Sequence, residues 1–109
     1  MGDLLQIEIT STCKTEPRHA EMNSKGYTQV QWHCGASKEY TLHLPGGVFE
    51  GYPDDFTVLV YGPEFVPETP LELNDTITYE QVIRNYVYDS SGNNCNLPRA
   101  VPPDILINP

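Results

Sequence analysis

Apolar and polar positions alternate over several short segments of this chain. In "LLQIEITST", Leu5, Ile7 and Ile9 fall on one side of an extended ribbon and Gln6, Glu8 and Thr10 on the other. That period of two predicts a half-buried strand. "YTQVQWHC" repeats the pattern, with Thr28, Val30, Trp32 and Cys34 inward and Tyr27, Gln29, Gln31 and His33 outward. After the connection "GASK", "EYTLHL" sends Tyr40, Leu42 and Leu44 inward and Thr41 and His43 outward. These two segments together predict a hairpin with a four- or five-residue loop. "FTVLVYG" is the most apolar stretch, and its β-branched and aromatic residues predict a central strand buried on both faces.

Breakers separate these segments. "CKTEPRHAEMNSKG" reads as a loop with room for one helical turn, and "PGGVFEGYPDD" as a loop or a short irregular edge. "PEFVPETP", with three prolines in eight residues, predicts an extended connection along an edge or between sheets. "LELNDTITYEQVIRNYVYD" predicts a short strand, a turn at Asn74-Asp75 and a long strand ending near Asp89. Tyr79, Val82, Ile83 and Tyr86 also sit at helical spacing, but Val82, Ile83, Val87 and the tyrosines favour strand. "DSSGNN" is a turn, "CNLPRAVPP" an extended link and "DILINP" a terminal strand. Ten prolines and eight glycines argue against long helices. The expectation is one all-β domain over residues 1–109, an immunoglobulin-like β-sandwich of about six to eight short strands, with a small β-barrel as the alternative. Leu5, Ile7, Val30, Trp32, Leu42, Phe56, Val58, Val60 and Ile83 are its expected core.

Charge narrows the choice of partner. Six Lys plus Arg stand against fifteen Asp plus Glu, a net charge of -9. Such a chain repels phosphates and anionic surfaces, so neither nucleic acid nor membrane is expected as a partner. Hydrophobic residues reach 39% and mean hydropathy is -0.42, in keeping with a folded domain because the apolar residues cluster and alternate. Three cysteines, Cys13, Cys34 and Cys95, leave one without a partner in any pairing. The opening "MGDLLQIEIT" holds no apolar leader core, so reduced thiols and a cytoplasmic protein are expected, with one disulfide as an open alternative.

"VQWHC" sets His33 beside Cys34, yet alternation sends neighbouring side chains to opposite faces, so the two cannot grip one ion. A better pair crosses the predicted hairpin. If its loop centres on Ser37-Lys38, His33 and His43 lie opposite each other with Cβ atoms ~5 Å apart. They form a candidate low-affinity metal site that lacks a visible third ligand. A blue-copper centre is excluded, because no His or Met follows Cys95. Asp89, Ser91 and Asn93 have the spacing of early calcium ligands, but Asn94 and Ala100 stand where a calcium loop needs Gly and Glu. No nucleophile elbow, phosphate loop or zinc-protease motif occurs, and no cofactor is implied. Cys34 or Cys95 with His43 would be the nucleophilic pair of a thiol enzyme.

Seven tyrosines are many for this length, and Tyr27, Tyr52, Tyr61, Tyr86 and Tyr88 fall in or near proposed loops; tyrosine suits interfaces because it offers amphipathic area at low entropy cost. Tyr52 and Tyr61, with Phe65 and Val66 of the proline-rich connection, are the candidate contact residues. The ending "VPPDILINP", after an all-β body, resembles the DP-EP family of small bacterial proteins. The resemblance implies an immunoglobulin-like sandwich and a bacterial or phage origin; the family has no established activity, so no functional residue carries over. The expected function is a non-enzymatic interaction module with a protein partner, including a homodimer through an edge strand. A low-affinity metal binder is the second reading and a thiol enzyme the third.

Overall fold

Ten strands form among the residues that this computed structural model describes, 2–95 and 103–109. They are β1 (Asp3–Ile9), β2 (Thr15–Glu16), β3 (His19–Asn23), β4 (Tyr27–Cys34), β5 (Glu39–Leu44), β6 (Phe56–Tyr61), β7 (Val66–Glu72), β8 (Gln81–Arg84), β9 (Tyr86–Asp89) and β10 (Asp104–Asn108). They build three open sheets, with strand orders β2-β1-β4-β7, β3-β10-β8 and β6-β5-β9. The all-β class is as the alternation predicts, and no helix occurs among these residues. The barrel alternative is not realised, since no sheet closes on itself.

The strand count exceeds the expected six to eight because pairing recruits segments with weak local signals. β2 and β3 lie in the stretch read as a loop. β3 has only Ala20 and Met22 to bury, and it is held as a strand by parallel pairing with β10, from His19 opposite Asp104 to Asn23 opposite Asn108. His19 Nδ1 lies 3.0 Å from Asp104 Oδ1 and fastens one end of this pair. The proline-rich connection becomes β7, on the edge of its sheet, where Pro67 and Pro70 cost fewest ladder hydrogen bonds.

The expected β4–β5 hairpin does not form. Both edges of β4 are taken, by β1 in parallel and by β7 in antiparallel pairing, so β5 cannot add to it. The chain turns at Gly35–Lys38, with Ser37 at φ 63°, and crosses to another sheet, where β5 lies between β6 and β9. Gly62, in the left-handed region at φ 71°, ties the corner: its carbonyl accepts from Cys34 N and its N–H donates to Lys38 O, both at 3.0 Å.

The predicted long strand ending at Asp89 is divided at Asn85 into β8 and β9, which belong to different sheets. Asn85 is buried, its N–H donates to the Pro103 carbonyl at 2.9 Å, and the chain changes sheets there from β8 to β9. One apolar cluster draws on all three sheets: Leu5, Ile7, Ile9, Val30, Trp32 and Leu71 from the first, Met22, Ile83, Ile105 and Ile107 from the second, and Leu42, Val58, Val60 and Val87 from the third. Val48 and Phe49 join it from the "PGGVFEG" loop, held by a bridge between Phe49 and Leu73. Gly46 lets that loop close, because a Cβ there would collide with the backbone of Pro53 and Asp54.

β6 departs from expectation. Instead of a central strand buried on both faces it is an edge strand buried on one, with Val58 and Val60 inward and Thr57, Leu59 and Tyr61 exposed. The apolar run that suggested two-sided burial is half core and half surface.

Candidate functional site

The exposed side of the β6-β5-β9 sheet is the most aromatic surface of the described residues that a single sheet presents. Register sets its layout: Leu59 of β6 and Tyr88 of β9 flank Thr41, while Thr57 and Tyr86 flank His43. Leu59 is 51% exposed, Tyr61 62% and Tyr86 40%. His43 packs its ring on Tyr88 with centroids 4.2 Å apart, and Asn94 Nδ2 donates to the Tyr88 hydroxyl at 3.3 Å. Tyr61 sits opposite Glu39 at one end. At the other, beside β8 and beyond the end of β5, lies a cleft of about 490 Å³ lined by His43, Phe56, Thr57, Gln81, Arg84 and Tyr86. The face and the cleft share His43, Thr57 and Tyr86, so they form one continuous surface.

The four contact residues expected from sequence separate. Tyr61 lies on this face. Tyr52, in the loop before β6, stacks on Phe56 at 4.1 Å, next to the cleft. Phe65 precedes β7 and packs against His33 at 4.4 Å, on a different sheet. Val66 is half-buried and taken into the ladder opposite Trp32. Leu59 is not among the residues expected from sequence, whereas Tyr86 and Tyr88, expected in or near loops, lie on β9. "YVYD" alternates around buried Val87 and carried the signal for both tyrosines; Leu59 was hidden by the two-sided reading of β6.

The candidate metal pair is not brought together as a cross-strand pair. His33 is on β4 and His43 on β5, which belong to different sheets, and each ring rests on an aromatic neighbour. Among the described residues no group of three or more His, Cys, Asp and Glu is placed to hold a metal ion. The Asp89 carboxylate is engaged locally, accepting from Ser91 N at 2.9 Å and Asn93 N at 3.0 Å. Asp55 Oδ1 accepts from Gly46 N at 2.9 Å and braces the loop that carries Glu50, Asp54 and Asp55.

Where reduced thiols were expected, Cys13 and Cys95 form a disulfide with Cα atoms 5.7 Å apart. Cys34 remains a thiol, 2% exposed, with the Lys38 and Gly62 carbonyls each 3.5 Å from its sulfur. Burial pushes its pKa up from the ordinary 9.0, against a smaller lowering by its hydrogen bond with the Gly62 backbone. Tyr40, also buried, is pushed up from 10.0 by burial, then by the Cys34 and Asp89 charges. The folded state therefore keeps these protons to higher pH than the unfolded chain does. The associated stability is full below the unfolded thiol's range near 9.0 and is lost as pH rises through the folded value. Urea midpoints are expected to fall above pH 9, and Cys34→Ala to flatten the fall between the ordinary thiol and phenol values of 9.0 and 10.0. A variant that keeps the wild-type profile across that interval removes Cys34 from the explanation. In the same folded protein, a maleimide should modify Cys34 only at the rate of unfolding.

No family model, curated protein or solved structure matches this chain.

Proposed function

We propose that this chain is a non-enzymatic protein-interaction module whose contact surface is the outer face of β6-β5-β9. The observation that carries the reading is the exposure of Leu59, Tyr61 and Tyr86 on one sheet whose other side is packed into the core. Solvent-facing aromatic area of this kind, with few charges within it, is the composition of interface centres. We take the frame to be an immunoglobulin-like sandwich. In support of it, residues 81–89 pass from β8 to β9 with only Asn85 between them, so on this reading β3-β10-β8 and β6-β5-β9 form one layer and β2-β1-β4-β7 the other. A thiol-enzyme reading lacks support, since Cys34 is enclosed with a raised pKa and the other two cysteines are bridged. That bridge also withdraws the reduced-thiol argument for a cytoplasmic protein and suits an oxidising compartment.

The test compares wild type with a Leu59→Ser, Tyr61→Ser, Tyr86→Ser triple variant as baits in an extract of the native host. The variant should melt close to wild type, because all three side chains face solvent, and should lose the proteins that wild type retains. Equal retention by both baits would end the proposal for this face.

A further inference from the structure

The free edge of β6 identifies the class of partner. Cys95 N donates to the Val87 carbonyl at 2.8 Å, so the backbone groups of Val87 point away from β5. Hydrogen-bonded and non-bonded pairs alternate along antiparallel strands. Leu42, opposite Val87, therefore directs its groups toward β6 and Val58. It follows that Thr57, Leu59 and Tyr61 direct theirs to the outer edge, where no strand of the described residues pairs with them.

This edge lacks the usual protection. Edge strands of soluble proteins carry charges, prolines or bulges, or are very short. Here β7 has Pro67 and Pro70, β8 has Arg84 and β2 has two residues. "FTVLVY" has none of these, and its register with β5 runs unbroken from Phe56 to Tyr61. Its ends, however, are acidic: exposed Asp54 and Asp55 precede it and exposed Glu64 follows. Two copies paired antiparallel about Leu59 would bring the Asp54–Asp55 end of each strand toward the Glu64 end of the other, and that meeting of like charges is unfavourable. Charge complementarity instead selects a segment with cationic ends.

We infer that the β6 edge accepts an extended segment of a partner protein as a further strand of the β6-β5-β9 sheet. That segment is uncharged and β-branched at its centre and carries Lys or Arg at both ends. The inference rests on the interaction-module reading and names its partner class. Backbone pairing with Thr57, Leu59 and Tyr61 supplies affinity, and alternate side chains of the added strand extend the aromatic face.

The probe is the blocked peptide KRTVTVTVKR, titrated into the full folded chain and followed by fluorescence anisotropy and amide exchange. Saturable binding is expected, with slowed exchange at Leu59 and Tyr61. The acid-ended peptide EDTVTVTVED, and the basic peptide N-methylated at alternate amides, should each bind at least ~tenfold more weakly. Leu59→Pro should keep the fold, because its outward N–H serves no internal bond, and should weaken binding by a similar factor. If that variant fails to fold, Asp54→Asn with Glu64→Gln leaves the strand untouched and should weaken binding severalfold. Absence of saturable binding, equal binding of the N-methylated peptide, or indifference to the charge variant overturns the inference. So does a dimer by light scattering that Leu59→Pro dissolves, which assigns the edge to a second copy. If the peptide fails while the triple serine variant still loses its captured proteins, the edge assignment falls and the module reading stands.

Discussion

Trp32→Ala is expected to cost about 3–5 kcal/mol of folding stability, the range for emptying a large aromatic site in a core. Trp32 has no exposed surface and lies in β4, the strand with β1 on one side and β7 on the other. The vacated space cannot collapse cheaply, because its walls are strands fixed by their own ladders. Trp32→Phe should cost far less than its lost volume suggests. The indole Nε1 has no hydrogen-bond partner among the described residues, and a buried donor without one costs roughly 1–3 kcal/mol that phenylalanine does not incur. Urea unfolding followed by far-ultraviolet circular dichroism measures both. A loss below about 1 kcal/mol for the alanine variant would place Trp32 outside the core.

Reduction of the Cys13–Cys95 bridge is expected to lower stability by about 2–4 kcal/mol. The bridge joins residues 82 apart in sequence, so in the chain-entropy view it restricts the unfolded state strongly, with a ceiling of about 4.5 kcal/mol. Its position adds a reason in the folded state. Cys13 lies in the turn after β1, where its N–H donates to Thr10 O, and Cys95 follows β9, bonded to Val87 O. The link therefore fastens the β1 sheet to the β9 sheet near one end of each. Thermal melts with and without reductant should differ for wild type and coincide for a Cys13→Ser, Cys95→Ser variant. Three thiols titrating in the denatured, unreduced protein would show that the bridge does not form.

Much of the core was legible in sequence because half-buried strands report themselves locally. Leu5, Ile7, Ile9, Val30, Trp32, Tyr40, Leu42 and Leu44 are buried as their spacing predicts, since successive side chains on a strand must point to opposite faces. Phe56 is only partly buried, and Val48 and Phe49 join the core from a segment that reads as a loop or a short irregular edge. Gln31 shows the limit of parity. It points away from the core yet is buried, because its side-chain nitrogen donates to the Pro67 and Glu68 carbonyls of the edge strand that covers it. Nothing in "VQWHC" says which strand will lie alongside.

Partner choice is where sequence reading failed, and the candidate site depended on it. The predicted His33–His43 pair required β4 to pair with β5, a short-range guess defeated by β1 and β7, which arrive from both sides. The contact surface gathers β5, β6 and β9 from three separated segments, so no single stretch announces it.

The sequence by itself determined the class of structure and which side of most strands is apolar, because periodicity and the positions of proline and glycine act over a few residues. Only the tertiary structure decided which strands became neighbours, which edge stayed open and which cysteines met. Those outcomes depend on burying one shared core among segments far apart in the chain, an energy that belongs to no segment alone.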